Sequence, residues 1–166
     1  MRLLLLSLHP GALSSFLDGC DRPGPIVYID DAQAAFRDAP FVAAGNTFAL
    51  LEALRISGND DVLVDHVRRG LPYIGLSAGS IVAGPDVTPA SLMDDPADGP
   101  ALENHEGLDL IDVTPIPHAD GALPPYPPEL IRRTVDTYGS DFALLPLRDD
   151  QALLVEDGSA TVIASR

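Results

Sequence analysis

The chain has 166 residues, 46% hydrophobic and 21% charged, the balance of a globular protein long enough to bury a core as a single domain, 1–166. Its formal net charge of −15 argues against nucleic acid or an anionic membrane surface as partner, because both are held by Lys/Arg patches. A single cysteine, Cys20, excludes an intramolecular disulfide and a multi-cysteine zinc site, and no run approaches the ~18 apolar residues of a membrane span.

In chain order, Met1-Arg2-Leu3-Leu4-Leu5-Leu6 with Leu17-Asp18-Gly19-Cys20 behind it has the outline of a lipoprotein leader. The apolar run is too short for that, and His9-Pro10 and Asp18 interrupt it. A buried strand over Arg2–Leu8 accounts for the same residues, and the expected location is the cytoplasm. Ala12–Leu17 predicts one or two helical turns, Ile26–Ile29 a strand, Asp30–Asp38 a short helix and Pro40–Ala43 a brief strand. Gly45-Asn46-Thr47 then leads into an apolar-faced helix over Phe48–Leu54. Gly58-Asn59-Asp60-Asp61 caps a helix over Val62–Arg69, closed by Gly70. Pro85–Gly107 is Pro- and Asp-rich and without period, so it reads as a long irregular loop. Leu108–Val113 alternates as a strand should, and Pro127-Pro128-Glu129 opens a helix to about Tyr138. Phe142–Leu147, Gln151–Val155 and Ala160–Ala164 are strand runs, the last two joined as a hairpin through Glu156-Asp157-Gly158-Ser159. The expected fold is α/β: three layers, a mostly parallel sheet with helices on both faces, and a C-terminal antiparallel hairpin. Ligands on such sheets gather at the carboxyl ends of the strands.

The chemistry centres on Gly75-Leu76-Ser77-Ala78-Gly79, a G-x-S-x-G element with a strand-like run before it and a helix-forming run after it. A tight strand-to-helix turn pushes the serine Oγ outward and aims the following N–H at the same point, which makes Ser77 a candidate nucleophile and Ala78 an oxyanion donor. Small residues are expected on both sides of such a turn. Among four histidines, His118 in Pro115-Ile116-Pro117-His118 follows a strand and is held by a proline, as a general base should be. His9 is a weaker candidate at the same edge; His66 and His105 read as a solvated helix residue and an exposed loop residue. Asp94, Asp95, Asp98, Asp149 and Asp150 all remain open as the acid that orients the imidazole. Ala44-Gly45-Asn46-Thr47 is the natural source of a second oxyanion or substrate contact, because a glycine there allows close backbone approach. No cofactor and no metal are called for, since no ligand cluster is present.

Four stretches carry a family resemblance: Ala43–Leu51 with its Gly-Asn-Thr turn, Tyr73–Ser80 with Ala83-Gly84-Pro85, Gly107–Asp112, and Pro117-His118. In this order, over roughly residues 40–120, they resemble the dipeptidase E (alpha-aspartyl dipeptidase) and cyanophycinase family of serine peptidases. The resemblance implies a class I glutamine-amidotransferase-like, flavodoxin-like fold with serine in place of the usual cysteine. It implies Ser77 as nucleophile, His118 as base, Asp94 in Asp94-Asp95-Pro96 as the acid, and Asp149 or Asp150 as a later acidic position. Gly45 and Ala78 would form the oxyanion hole, with Asn46 beside them. Ala43 and Ala44 stand where members commonly carry further glycines, and the chain before Gly45 is short by about one βα unit. A sheet lacking an edge element is expected to be covered by a second copy, so a homo-oligomer follows. Ala119–Pro128 carries no basic residue, so the cation by which aspartyl dipeptidases recognise their substrate is not recognisable here. The expected function is hydrolysis of short peptides by acyl transfer from Ser77. The alternatives are an esterase or amidase with the same serine machinery, and a non-catalytic binding module of the same fold.

Overall fold

The computed structural model describes residues 1–20, 45–156 and 158–166. The elements expected over 26–29, 30–38 and 40–43 lie outside the described residues, as does the stretch where a βα unit is expected to be missing. Strand β1 (Arg2–Leu6) lies inside the four-stranded sheet of the described residues. It pairs in parallel with β2 (Tyr73–Leu76) on one side and antiparallel with β5 (Gln151–Glu156) on the other. Strand β6 (Ser159–Ala164) completes the sheet order β2-β1-β5-β6.

A run of four leucines makes sense only in a strand covered on both faces. Leu3 and Leu5 point to one side, into a cluster with Phe48, Leu51 and Leu54 of α2 (Thr47–Ser57), Val67 of α3 (Asn59–Arg68) and Ile81 of α4 (Ala78–Ile81). Leu4 and Leu6 point to the other, against Ala12, Phe16 of α1 (Leu13–Asp18) and Ala152. All four leucines are essentially inaccessible, and each contributes about 2–3 kcal/mol by burial. Helices α2 and α3 abut through Gly58, whose left-handed φ of 68° closes the first while its neighbour Asn59 begins the second.

A second, two-stranded parallel sheet pairs β3 (Thr114–Ile116) with β4 (Leu144–Pro146), and α5 (Pro128–Tyr138) lies between them in sequence. The architecture is α/β; among the described residues β1–β2 and β3–β4 pair in parallel, β5–β6 form the expected antiparallel hairpin, and β5 also pairs antiparallel with β1. The predicted strand over Leu108–Val113 is also corrected. Its Leu108 and Leu110 N–H groups donate to the Val82 and Ala83 carbonyls at the end of α4, so the alternation records packing against the elbow, not pairing with a strand. The long loop 85–107 is ordered by two 3₁₀ turns, Thr88–Leu92 and Pro96–Asp98, and by a bridge between Asp86 and Glu106.

The elbow explains one of its glycines and not the other. A Cβ on Gly75 would sit 2.5 Å from the Gly79 carbonyl oxygen, whereas one on Gly79 would meet nothing within 4 Å. The expectation of obligatory small residues on both sides therefore holds on one side. Gly75→Ala is expected to destabilise the fold by about 1–3 kcal/mol through overpacking against backbone. Gly79→Ala, inside a helix, is expected to be neutral or to stabilise by up to about 1 kcal/mol. Chemical denaturation of the two variants measures the difference.

Candidate active site

Four strands deliver the site at their carboxyl ends. Parallel pairing of β1 with β2 sets Ser7 and Ser77 next to each other, one residue past each strand. Parallel pairing of β3 with β4 does the same for His118 and Asp149, and the register continues beyond the strands through Leu147 N–H to Ile116 O and Ala119 N–H to Leu147 O. Ser77 adopts φ 50°, ψ −113°, and His118 φ 61°, conformations that non-glycine residues rarely take. Backbone held this way at a site is stored strain, of order 1–3 kcal/mol each.

The elbow is held by β1. The Leu6 carbonyl accepts from the Ser77 N–H at 3.0 Å and from the Ser80 hydroxyl at 2.8 Å. Behind it, the Tyr73 hydroxyl donates to the Gly79 carbonyl at 2.6 Å, and burial raises its pKa far enough that it stays a donor. Ser77 Oγ lies 3.0 Å from His118 Nε2, and His118 Nδ1 lies 2.7 Å from Asp149 Oδ1. A carboxylate can only accept, so Nδ1 carries the proton, and in the neutral imidazole Nε2 is free to accept from the serine hydroxyl. Ser77, His118 and Asp149 are 5%, 1% and 3% exposed. This is a chain of three groups screened from water, in which a proton can pass from serine to imidazole while the carboxylate faces the charge that forms.

Ser7, which the sequence analysis did not single out, joins His118 to Asp149. Its Oγ accepts the His118 backbone N–H at 2.7 Å and donates to Asp149 Oδ1 at 3.2 Å. Asp149 Oδ2 is buried with no partner among the described residues, so the side-chain hydrogen bonding of this carboxylate runs through Oδ1. A small polar residue directly after an all-leucine strand was the available signal.

Asp94, expected beside the imidazole, is placed elsewhere. Its Oδ2 accepts from the Thr47 N–H at 2.9 Å and the Thr47 hydroxyl at 2.5 Å, at the start of α2, and its Oδ1 accepts from the Tyr126 hydroxyl at 3.2 Å. The correction has a topological cause: Asp94 lies in the loop packed on α2, while only the end of β4 runs alongside the end of β3. Asp95 caps the turn at Ala97, Asp98 accepts from Asn46 Nδ2, and Asp150 turns to Arg166 and Arg148, which hold its carboxyl below the usual carboxylate range. Asn46 is the N-cap of α2. Its Oδ1 accepts from Phe48 and Ala49, and its Nδ2 donates to Asp95 O and Asp98 Oδ2, so its amide is fully engaged within the fold. Gly45 directly precedes this cap. Ala78 is buried, and its N–H makes no hydrogen bond among the described residues.

Tyr126, also not foreseen, stacks on the His118 ring with centroids 4.8 Å apart and planes 6° from parallel. Burial first, then the neighbouring Asp94, raises the Tyr126 pKa, which keeps its hydroxyl a donor. His9 is exposed, its N–H donating to the Asp149 carbonyl and its own carbonyl accepting from the Ser165 hydroxyl; His66 is exposed on α3; His105 is half-buried against Phe48 and so is not the exposed loop residue expected. Among the described residues no group of three or more His, Cys, Asp or Glu side chains is placed to hold a metal ion, and no helix is long and apolar enough to cross a membrane.

Residues 29–163 match the model of Peptidase family S51. An uncharacterized peptidase of Listeria innocua is 30% identical over 131 residues, 78% of this chain and 61% of that protein. Peptidase E of a Nostoc species is 30% identical over 135 residues, 78% of this chain and 53% of that protein. The chain thus spans little more than half the length of these curated relatives. A crystal structure from Listeria monocytogenes, described as that of a candidate peptidase E protein, superposes with a TM-score of 0.75 over 98% of both chains at 20% identity, which shows a shared fold.

Removing the Ser7 hydroxyl leaves the buried His118 N–H without its acceptor. Ser7→Ala is expected to lower stability by about 1–3 kcal/mol in denaturant titrations, far more than truncation of an exposed serine.

Proposed function

The chain belongs to peptidase family S51, and from that premise we propose that it is a serine peptidase hydrolysing short peptides through Ser77, His118 and Asp149. The observation that carries this reading is the continuous path from Ser77 Oγ to His118 Nε2 at 3.0 Å and from His118 Nδ1 to Asp149 Oδ1 at 2.7 Å. Ser77 Oγ attacks the scissile carbonyl as His118 takes its proton; the imidazolium, stabilised by Asp149, returns that proton to the leaving amine. Water then enters by the same base and frees Ser77 from the acyl group. The Ala78 N–H, unengaged among the described residues and next to the nucleophile, is the first oxyanion donor, and Gly45 supplies the second; each is worth on the order of 3 kcal/mol. Asp149 replaces Asp94 as the orienting acid in this mechanism.

The same proposal takes residues 1–166 as one peptidase domain of the three-layer, glutamine-amidotransferase-like type, acting in the cytoplasm without metal or cofactor. Burial of both faces of β1 under helices supports the layering. A homo-oligomer is supported by β6, which ends the described sheet and is exposed along most of its length. A monomeric mass in light scattering at micromolar concentration would remove that part.

A fluorophosphonate is expected to form one adduct, on Ser77, abolished in His118→Ala. Ser77→Ala is expected to lower peptide turnover by several powers of ten with the fold intact, and Asp149→Asn by roughly 10⁴-fold, because the amide leaves the imidazole in the wrong tautomer. An unlabelled Ser77, under conditions that label a control hydrolase, would leave a binding module of this fold; labelling with ester but no peptide turnover would make it an esterase.

A further inference from the structure

We propose that Tyr126 is a positioning residue for His118, its ring setting the tilt of the imidazole while Asp94 holds that ring in place. The inference rests on the reading of His118 as the general base. The hydrogen bonds to Ser77 and Asp149 leave from the two ring nitrogens in the plane of the imidazole, so both depend on how far the ring turns about its Cβ–Cγ bond. Turning about that bond carries Nδ1 and Nε2, with their in-plane bonding directions, out of line with Asp149 and Ser77, and a hydrogen bond weakens steeply with angle. A flat surface against one face removes that freedom, and the Tyr126 ring, 6° from parallel, is such a surface. Its negatively polarised face also favours the imidazolium that the reaction forms.

The Tyr126 ring is itself constrained from two directions. Its backbone is bracketed by Pro124-Pro125 and Pro127-Pro128, with the Tyr126 N–H bonded to Leu123 O. Its hydroxyl is bonded to Asp94, which is anchored in turn by Thr47 at the start of α2 and by its own N–H to Ala90 O. An acid remote from the imidazole thereby reaches it through one aromatic ring.

The test compares Tyr126→Phe, which keeps the ring and loses the tether, with Tyr126→Leu, which loses the ring, in the full chain. Two quantities are read: the second-order rate of Ser77 labelling by a small fluorophosphonate, and the downfield proton resonance of His118 Nδ1–H. Tyr126→Leu is expected to slow labelling roughly 10- to 100-fold and to broaden the resonance, the size of effect that a misplacement near 1 Å produces. Tyr126→Phe, which keeps the ring without its tether, is expected to fall between the parent and the Leu variant, slowed about two- to fivefold with the resonance retained, a partial rescue that general loss of packing would not give. Labelling by Tyr126→Leu within twofold of the parent with the resonance intact overturns the proposal, as does a Phe variant as slow as Leu, and a Phe variant equal to the parent overturns the part assigned to Asp94. If the Leu variant fails to fold, Tyr126→Met carries the same comparison. A parent protein whose Ser77 is not labelled overturns the peptidase reading instead, and the resonance alone then decides the positioning: lost without the ring, it stands; kept, it falls.

Discussion

At the carboxyl end of β1 the Leu6 carbonyl accepts two hydrogen bonds from the elbow, and one residue later the Ser7 hydroxyl bridges the His118 backbone to the Asp149 carboxylate. Leu6 and Ser7 thus hold all three members of the proposed triad in place. They can do so because β1 is clamped between β2 and β5 and buried on both faces. A strand with no freedom of its own is a reference frame against which a turn and two loops are set.

That frame offsets the strain at the site. Ser77 and His118 both sit at positive φ, and each conformation is held by hydrogen bonds that reach outside its own segment. The elbow is pinned at Leu6 and, through Tyr73, at Gly79; the histidine is pinned at Ser7, and Gly121 N–H closes a turn onto its carbonyl. Burial of the β1 leucines outweighs the few kcal/mol that two strained residues cost. The contributions of the parallel pairs are positional: they place serine beside serine and histidine beside aspartate at adjoining strand ends.

The acids show where reading a sequence stops. Asp94 and Asp149 are both carboxylates in loops after strand or helix runs, in a chain rich in acidic residues, and only the family resemblance favoured Asp94. Space assigns them different tasks. Asp149 lies alongside His118 because β4 pairs with β3, while Asp94 accepts from Thr47 at the start of α2 and meets the Tyr126 hydroxyl. Pairing between strands 30 residues apart leaves no local trace, which is why no spacing rule separates the two.

Local chemistry is legible without a structure where the cause is local. The strand–turn–helix pattern around Ser77, the proline-held His118 after a strand run, the buried leucine strand and the final hairpin all follow from residues within a few positions of one another. The strand read into Leu108–Val113 failed because alternation reports a buried face without naming what buries it, and here the partner is the end of α4. The mixed sheet, the choice of Asp149, the bridging Ser7 and the stacked Tyr126 come from contacts between distant segments. By itself the sequence determined that Ser77 and His118 each follow a strand run and so which backbone the proposed nucleophile and base ride on. Only the tertiary structure decided which side chains meet, because pairing register and loop packing are set by the whole core at once.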